Sequence, residues 1–241
     1  MSQKADQPFR FKQFAIRQDR CAMKVGTDGV LLGAWAGVQE DASAILDIGA
    51  GTGLLALMLA QRSGASLIDA VEIEGDAYEQ CVENFEASPW ADRLFCYHAG
   101  LGEFAEEMDT TYDLIVSNPP FYSETVSSGR ASRDRARQNS ALPFEHLLEG
   151  VSTLLSNTGR FSTIVPYKEE VRMLALAAAR SLYPVRVTRV RGNPGSPLKR
   201  TLMELSFSPG GTAMDELTIE VGRHRYTEAY KRLTADFYLK M

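Results

Sequence analysis

The residues best suited to chemistry in this sequence are Asn118, Pro119, Pro120 and Phe121, which directly follow the apolar run 112–117. Both prolines lack an N–H and fix φ, so they end the preceding strand in a rigid turn. The amide oxygen of Asn118 and the backbone carbonyl of Pro119 can each accept one N–H of a planar exocyclic amine, which favours a pyramidal nitrogen with an available lone pair. Phe121 offers a flat face on which an unstacked base can lie. The turn therefore indicates alkylation of an amine, and no general base is needed because the alkylated nitrogen loses its proton afterwards.

A glycine-rich turn lies upstream, in the segment LDIGAGTGLLALML. Gly49, Gly51 and Gly53 separate a buried strand from a helix, at positions where the backbone adopts a positive φ or passes close to a ligand. Their spacing is GxGxG, whereas a dinucleotide fingerprint reads GxGxxG. Glu72 ends the next apolar run, at the separation expected for an acid that accepts hydrogen bonds from ribose hydroxyls. The pattern favours a nucleoside ligand over a pyrophosphate, and a tight turn with glycines for packing alone is the alternative.

The elements that must position these residues follow from the periodicity. Apolar runs alternate with helical patterns, which predicts an α/β fold with a parallel sheet. The predicted strands cover 44–48, 67–73, 93–98, 112–117, 160–166, 184–190 and 202–207, and the predicted helices cover 54–62, 75–86, 144–155 and 169–180. The last two strands are joined by a short Gly/Pro-rich loop, so we expect them to be antiparallel. Residues 217–221 and a helix over 227–239 form an additional tail. Because ligands lie at the carboxyl ends of parallel strands, Asn118 is expected beside the glycine loop.

The sequence DIGAGTG followed by VEIE resembles the S-adenosylmethionine-dependent methyltransferases of the seven-stranded Rossmann-like class. The resemblance implies a mostly parallel sheet with an antiparallel last hairpin and helices on both faces. It also implies S-adenosyl-L-methionine as the cofactor, with Gly49, Gly51 and Gly53 under its methionine part. Asp47 would steady the loop or the amino acid moiety, Glu72 would hold the ribose, and Asn118 would face the cofactor.

The flanking segments indicate the substrate, which Asn-Pro-Pro-Phe alone does not, since that motif serves adenine, cytosine and guanine amines and the glutamine amide of release factors. Segments 11–36 and 226–239 and the RxxSRDxAR region resemble the valine-tRNA adenine-N6 methyltransferases, which modify the adenine just 3′ of the anticodon, position 37. The resemblance implies tRNA as the partner. It also implies that Lys24, Gly26, Thr27 and Asp28 close over the cofactor. The alternatives are an rRNA guanine-N2 or release-factor glutamine methyltransferase, and a non-catalytic cofactor-binding RNA-binding protein.

We expect Thr27 and Asp28 to cap an amphipathic helix. One position departs from the family pattern: Gly100 stands where an acid that reads the cofactor adenine is expected. Either a backbone group or Glu103 substitutes there, or the affinity for the cofactor is lower.

The charge distribution points to a polyanion-binding face. The chain has a net charge of −5, yet residues 41–129 hold 16 acidic residues against Arg62 and Arg93 alone, so the flanking segments are basic. The residues predicted to contact RNA phosphates are Arg130, Arg133, Arg135 and Arg137 beyond the catalytic turn, and Arg191, Lys199 and Arg200 around the last hairpin. Arg189 belongs to the same basic set, and Arg223, His224 and Arg225 are expected to extend this surface.

The remaining features of the sequence limit the class of protein to which the chain can belong. We expect one methyltransferase domain, with an N-terminal extension (1–40) closing over the cofactor, a Rossmann-like core (41–208) and a C-terminal strand and helix (209–241). Neither a signal peptide nor a membrane span is recognisable. The three cysteines lack CxxC spacing, which predicts reduced thiols in a cytoplasmic protein with no metal site. No obligate protein partner is indicated.

Overall fold

The computed structural model describes residues 7–120 and 142–240. At the centre of the described residues is an eight-stranded sheet with helices on both faces. Its strands are β3 (Ala44–Ile48), β4 (Leu67–Glu72), β5 (Leu94–His98), β6 (Tyr112–Ser117), β7 (Leu155–Pro166), β8 (Tyr183–Arg191), β9 (Leu198–Ser206) and β10 (Ala213–Thr218). Two short hairpins lie outside it, β1 (Phe9–Arg10) with β2 (Ala15–Ile16) and β11 (Glu220–Gly222) with β12 (Arg225–Tyr226). The helices are α1 (Thr27–Trp35), α2 (Leu54–Arg62), α3 (Gly75–Glu86), α4 (Leu101–Glu107), α5 (Phe144–Leu154), α6 (Glu170–Ala178) and α7 (Glu228–Thr234).

The strand order, β10-β8-β9-β7-β6-β3-β4-β5, determines which loops share an edge. Strands β5, β4, β3, β6 and β7 are parallel neighbours, so their carboxyl ends meet at one rim. Strand β9 is antiparallel to both β7 and β8, which confirms the predicted antiparallel hairpin. In its register Arg200 lies opposite Pro166, the last residue of β7. The loop between β8 and β9 therefore projects at the same rim as the turn that follows β6.

The prediction of seven strands is wrong by one. The tail after the last hairpin was expected outside the sheet, but Ala213–Thr218 pairs in parallel with β8 and becomes its edge strand. The unpaired backbone of an outer strand is a ready template for such pairing, which hydrophobic periodicity does not reveal. The sequence also did not predict α4 or the β1–β2 hairpin, and helix α7 is shorter than the predicted 227–239.

The core consists of two apolar layers, one on each face of the sheet. Strand β3 shows how one parallel strand supplies side chains to both layers. Ile45 packs in the layer of α1 and α2, whereas Leu46 and Ile48 pack in the layer of α5 and α6. Because both faces are covered, the strand is apolar nearly throughout instead of alternating. In the described part of the chain, no helix combines the length and the apolar character needed to cross a membrane.

Helix α1 differs from its prediction in two respects. It is not amphipathic, because every residue from Gly29 to Trp35 is buried. The stretch from Gly29 to Trp35 packs against α2, α7 and β7, so no face of this stretch remains for solvent. The N-cap is Gly26, and neither Thr27 nor Asp28 caps the helix through its side chain.

The close contact between α1 and α2 depends on glycine. A Cβ at Gly33 would lie 2.6 Å from the sulfur of Met58, and one at Gly29 would lie 2.9 Å from a methyl carbon of Leu54. The two glycines are one helical turn apart and face α2 together. The two glycines therefore allow α1 to pack closely against α2, the helix that follows the glycine loop.

Candidate functional site

The glycine loop between β3 and α2 contains three residues with positive φ, but they are not equivalent. Gly49, Gly51 and Gly53 have φ values of 72°, 56° and 77°. A Cβ on Gly53 would lie 2.6 Å from the ring of Phe85, so this glycine is required by packing. At Gly49 and Gly51 an added Cβ would meet none of the described residues within 4 Å. These two positions therefore face open space at the rim, as a loop that cradles a ligand requires.

Glu72, at the end of β4, holds this loop in place. One carboxylate oxygen accepts a hydrogen bond from the Gly51 N–H at 2.8 Å and the other from the Glu74 N–H at 2.9 Å. The side chain is only 8% exposed. Each oxygen still has a lone pair, so the carboxylate can position the loop and accept hydrogen bonds from a ligand at the same time.

Ile73 is a site residue that the sequence analysis missed. It follows Glu72 at the rim and is 53% exposed, which is unusual for isoleucine so close to the core. A Cβ on Gly100 would lie 3.8 Å from its terminal methyl group, an ordinary van der Waals distance, so the two residues are neighbours at the rim. The available signal was an apolar residue directly after an acid that ends a buried strand.

Asp47 lies beneath the glycine loop. It is fully buried, and one carboxylate oxygen accepts a hydrogen bond from the Ala56 N–H of α2 at 3.1 Å. The other oxygen has no hydrogen-bond partner among the described residues. Burial raises the pKa of this carboxyl to about 7, and the nearby charge of Glu72 adds to the effect. Asp47 thus supports the first turn of α2 from below.

The turn after β6 lies beside the glycine loop, as the sequence predicted. The hydroxyl of Ser117 donates to the carbonyl of Ile48 at 2.9 Å and so joins the ends of β6 and β3. Asn118 is partly exposed and Pro119 is buried. The amide nitrogen of Asn118 lies 3.8 Å from the Cβ position of Gly29, so the start of α1 forms the opposite wall. Phe121 lies outside the described residues.

Two amide side chains on α3 attach the N-terminal segment to this site, and the sequence analysis missed both. Asn84 accepts from the Arg17 N–H at 2.8 Å and donates to the carbonyls of Arg17 and Thr52, each at 2.9 Å. Gln80 accepts from the Arg20 N–H at 3.0 Å. Since Thr52 belongs to the glycine loop, Asn84 connects the segment directly to it. The sequence signal was a pair of amides four residues apart on one helical face.

The residues predicted to close over the site lie at the start of α1. Lys24, Gly26 and Thr27 are exposed. The carboxylate of Asp28 accepts a hydrogen bond from the guanidinium of Arg200 at 2.7 Å. A predicted ligand-binding carboxylate and a predicted phosphate-binding arginine are therefore ion-paired with each other.

The basic residues of the last hairpin are at the rim, but several hold carboxylates. Arg191 pairs with Glu216, and Arg189 forms a two-pronged pair with Glu170 that includes a contact of 2.6 Å. Lys199 is exposed. Arg130, Arg133, Arg135 and Arg137 lie outside the described residues. Among the residues that the structure describes, no group of His, Cys, Asp or Glu could hold a metal ion.

Comparisons with known proteins agree with this geometry. A family model described as the methyltransferase small domain matches residues 31–141. The chain adopts the same fold as a "predicted O-methyltransferase" from Agrobacterium tumefaciens, with a TM-score of 0.69 at 19% identity over 87% of this chain and 96% of that chain. This likeness shows the fold alone.

Curated relatives extend the similarity to nearly the whole chain. A tRNA1(Val) (adenine(37)-N6)-methyltransferase of Christiangramia forsetii is 57% identical over 98% of this chain and 100% of the relative. One of the same name from Flavobacterium johnsoniae is 57% identical over 97% of this chain and 100% of the relative. With this identity over the full length, and with the glycine loop and the Asn-Pro-Pro turn brought together at one rim, the chain belongs to the family of tRNA1(Val) (adenine(37)-N6)-methyltransferases.

Proposed function

We propose that this enzyme transfers the methyl group of S-adenosyl-L-methionine to N6 of adenine 37 in a valine tRNA. The observation that carries the proposal is the position of Asn118, between the open glycine loop and the start of α1. That position suits an amide that holds an amine against a ligand lying on the loop. The relatives named for this reaction support the choice of substrate.

The chain's residues fit the cofactor. When bound, S-adenosyl-L-methionine supplies an electrophilic methyl group on a sulfonium. Gly49 and Gly51 leave open space in which the backbone can approach its methionine part. Glu72 keeps lone pairs for the ribose hydroxyls, and the exposed side chain of Ile73 offers an apolar surface for the adenine. The N-terminal extension closes the site from above, through the exposed residues from Lys24 to Thr27 and through Asp28.

The catalytic turn acts by positioning. The amide oxygen of Asn118 and the carbonyl of Pro119 accept the two N–H groups of the target amine, which holds the nitrogen lone pair toward the methyl group. The two prolines keep the carbonyl fixed and remove competing donors. Held by Asn118 and Pro119, the nitrogen would take the methyl group that the cofactor supplies, the sulfur would keep the electron pair of the C–S bond, and the methylated nitrogen would release its proton to solvent. Phe121 provides the stacking face for the extruded base.

The tRNA backbone is held by the basic residues at the rim, with Lys199 the most accessible of those on the hairpin. Arg191 and Arg200 also contact phosphates. A phosphate either replaces the carboxylate partner of each arginine, Glu216 for Arg191 and Asp28 for Arg200, or binds in addition to it. We assign the same role to Arg130, Arg133, Arg135 and Arg137. Binding is therefore expected to weaken strongly as the salt concentration rises. A tRNA substrate places the enzyme in the cytoplasm.

The assay that tests this function uses purified enzyme, radiolabelled S-adenosyl-L-methionine and, separately, unmodified tRNA, rRNA and a release factor. We expect label in tRNA as N6-methyladenosine, and loss of label when adenine 37 of the valine tRNA is replaced by guanine. Label in guanosine of rRNA or in the release factor would contradict the substrate. An enzyme that binds the cofactor but labels none of the three would contradict the activity.

Asn118→Ala tests the mechanism. Removing the amide oxygen deletes one of the two acceptors that orient the amine, so kcat is expected to fall by about 100-fold or more. Cofactor affinity, measured by calorimetry, is expected to change little. Asn157→Ala is the matched control, since Asn157 is exposed near the start of β7, at the rim of the sheet opposite the site. An Asn118→Ala enzyme with normal kcat would disprove the positioning role.

A further inference from the structure

A second concave site lies next to the proposed active site. It is a cleft of about 560 Å³ between the N-terminal segment, the loop that joins β8 to β9, and the C-terminal residues from β11 onward. Its lining residues, all in the described ranges, do not include the glycine loop, Glu72 or Asn118. The cleft is therefore distinct from the glycine loop and the catalytic turn, although Gly26 and Thr27, which are proposed to close over the cofactor, also line it. Its size lies within the range of pockets that hold small organic groups.

The walls of the cleft are aromatic. Tyr230 is only 3% exposed and forms the base, while Phe9, Tyr226 and Tyr238 are half-buried and line the sides. The ring of Tyr226 lies 5.2 Å from that of Tyr230, tilted by 32°, so the buried Tyr230 ring supports the Tyr226 ring. Rings fixed in this way bind a flat group at little cost in side-chain entropy.

Polar groups accompany these rings. Glu220 and Asn193 line the cleft, and the Glu220 N–H donates to the carbonyl of Gly192 at 2.8 Å, which ties the hairpin loop to the C-terminal segment. Asn193 is held in its own turn by the Gly195 N–H at 3.1 Å. A carboxylate and an amide beside aromatic faces suit the amino and imino groups on the edge of a nucleobase.

The cleft is close to the target nitrogen. Gly26 and Thr27 form part of its wall, and two residues further along the chain a Cβ on Gly29 would lie 3.8 Å from the amide nitrogen of Asn118. The start of α1 is therefore shared between the two sites. A strand of RNA with one base at Asn118 can place a neighbouring base in the cleft.

A basic turn adjoins the cleft. Glu220 pairs with Tyr226 in the β11–β12 hairpin, and the tip beyond them consists of Arg223, His224 and Arg225, all exposed. His224 has a φ of 59°, which closes the tip tightly. Aromatic faces next to exposed positive charge are the combination that binds single-stranded nucleic acids, whose bases stack while their phosphates meet the cations.

We propose that this cleft binds an unpaired nucleobase that neighbours the target adenine in the RNA substrate. The base stacks on Tyr226, Glu220 accepts hydrogen bonds from its edge, and the basic turn contacts its phosphate. The inference rests on the proposed function and extends it, because it adds a second base-binding site to the enzyme. The adjacent positive charge favours RNA over the side chain of a protein partner.

The test combines protein variants with modified RNA. Tyr226→Leu keeps an apolar side chain but removes the stacking face, whereas Tyr226→Phe keeps the face. The RNA is an anticodon stem-loop, intact or with a single abasic nucleotide at each position around the target. We expect Tyr226→Leu to raise KM for intact RNA about tenfold and Tyr226→Phe to change it less than about twofold. The Kd for S-adenosyl-L-methionine is expected to remain unchanged.

The decisive result is a coupling between protein and RNA. One abasic position is expected to raise KM about tenfold for the wild type but to add nothing for Tyr226→Leu. If the two effects multiply at every position, the cleft does not hold a base. Failure of the wild type to methylate any stem-loop or tRNA would overturn the proposed function instead, so the two failures are distinguishable.

Glu220→Gln provides a second variant in case Tyr226→Leu unfolds. This change keeps the shape but removes an acceptor from the edge of the bound base. It is expected to alter the preference among bases at the coupled position, measured as the ratio of KM values for stem-loops that differ at that position. An unaltered preference at every position would count against the assignment.

Discussion

Two of the contacts that attach the N-terminal segment to the rest of the protein differ in kind. On the side of the glycine loop, the Asn84 side chain, only 2% exposed, forms one buried hydrogen bond with the backbone of Thr52 and two partly buried ones with the backbone of Arg17. On the side of the last hairpin, Asp28 forms a partly exposed ion pair with Arg200. The first attachment belongs to the folded core, whereas the second lies at the rim where the RNA is proposed to bind.

This difference shows which polar contacts stabilise the fold and which can respond to a ligand. Buried donors and acceptors that lose a partner cost their full desolvation energy. A surface ion pair contributes little and is weakened by salt. The glycine-loop side is therefore expected to behave as a rigid unit, while the hairpin side can exchange a carboxylate for a phosphate.

The largest predicted effect concerns Asp47, the buried carboxyl beneath the glycine loop. Its pKa is raised from 3.8 to about 7, so the folded state retains the proton over a range in which the unfolded state loses it. The contribution of this bound proton to the free energy of unfolding is fully present below pH 3.8 and is lost as the pH rises toward about 7. The loss corresponds to about 4 kcal/mol, and Asp47→Asn is expected to remove this dependence on pH.

Urea denaturation of the wild type and of Asp47→Asn at several pH values would measure the effect. Asp69, whose pKa burial also raises, contributes to both proteins and cancels in the difference. If the free energy of unfolding of the two proteins varied with pH in parallel, the prediction would be contradicted. Asp47 would then contribute as little to stability as the partly exposed Asp28.

Asn84→Ala breaks the buried attachment. It leaves the N–H and carbonyl of Arg17 and the carbonyl of Thr52 without their partner, so the free energy of unfolding is expected to fall by about 3 kcal/mol. Cofactor affinity is expected to fall as well, because Thr52 lies in the glycine loop. Calorimetric melting and cofactor titration measure the two effects, with exposed Asn157→Ala as the control. A loss below about 1 kcal/mol would show that water replaces the amide, and the contrast with the hairpin side would disappear.

Asp28→Asn breaks the exposed attachment and has the smallest predicted effect. The free energy of unfolding is expected to change by less than about 1 kcal/mol, and the change should vanish in about 0.5 M KCl. Denaturation at low and high salt checks this. A loss as large as that of Asn84→Ala at both salt concentrations would mean that the two attachments are equivalent.

Much of the fold could be predicted from local pattern. The apolar runs identified strands β3 to β9, and the short loop after β8 gave its antiparallel pairing with β9. Residues 217–221 were predicted as a tail beyond the seven strands, whereas Ala213–Thr218 forms β10 on the unpaired backbone of β8, which hydrophobic periodicity does not reveal. Helix α4 was missed since seven residues give too little periodicity to recognise.

The site was predicted less evenly. Asn118 and the glycine loop were expected together and lie together. The ion pair between Asp28 and Arg200 was not foreseen, since its partners are 172 residues apart and each had been assigned its own ligand. The sequence signal for Ile73, an apolar residue directly after Glu72, is weak, and the exposure of its side chain in the structure identifies it.

The sequence by itself determined the local chemistry: proline fixes the turn after β6, and glycine adopts the positive φ values of the loop after β3 without the steric cost that a side chain would add. Only the tertiary structure decided which glycines face a ligand, which carboxyl is buried and which arginines are already paired. Backbone conformation depends on each residue and its neighbours, whereas burial and charge pairing depend on distant segments that folding brings together.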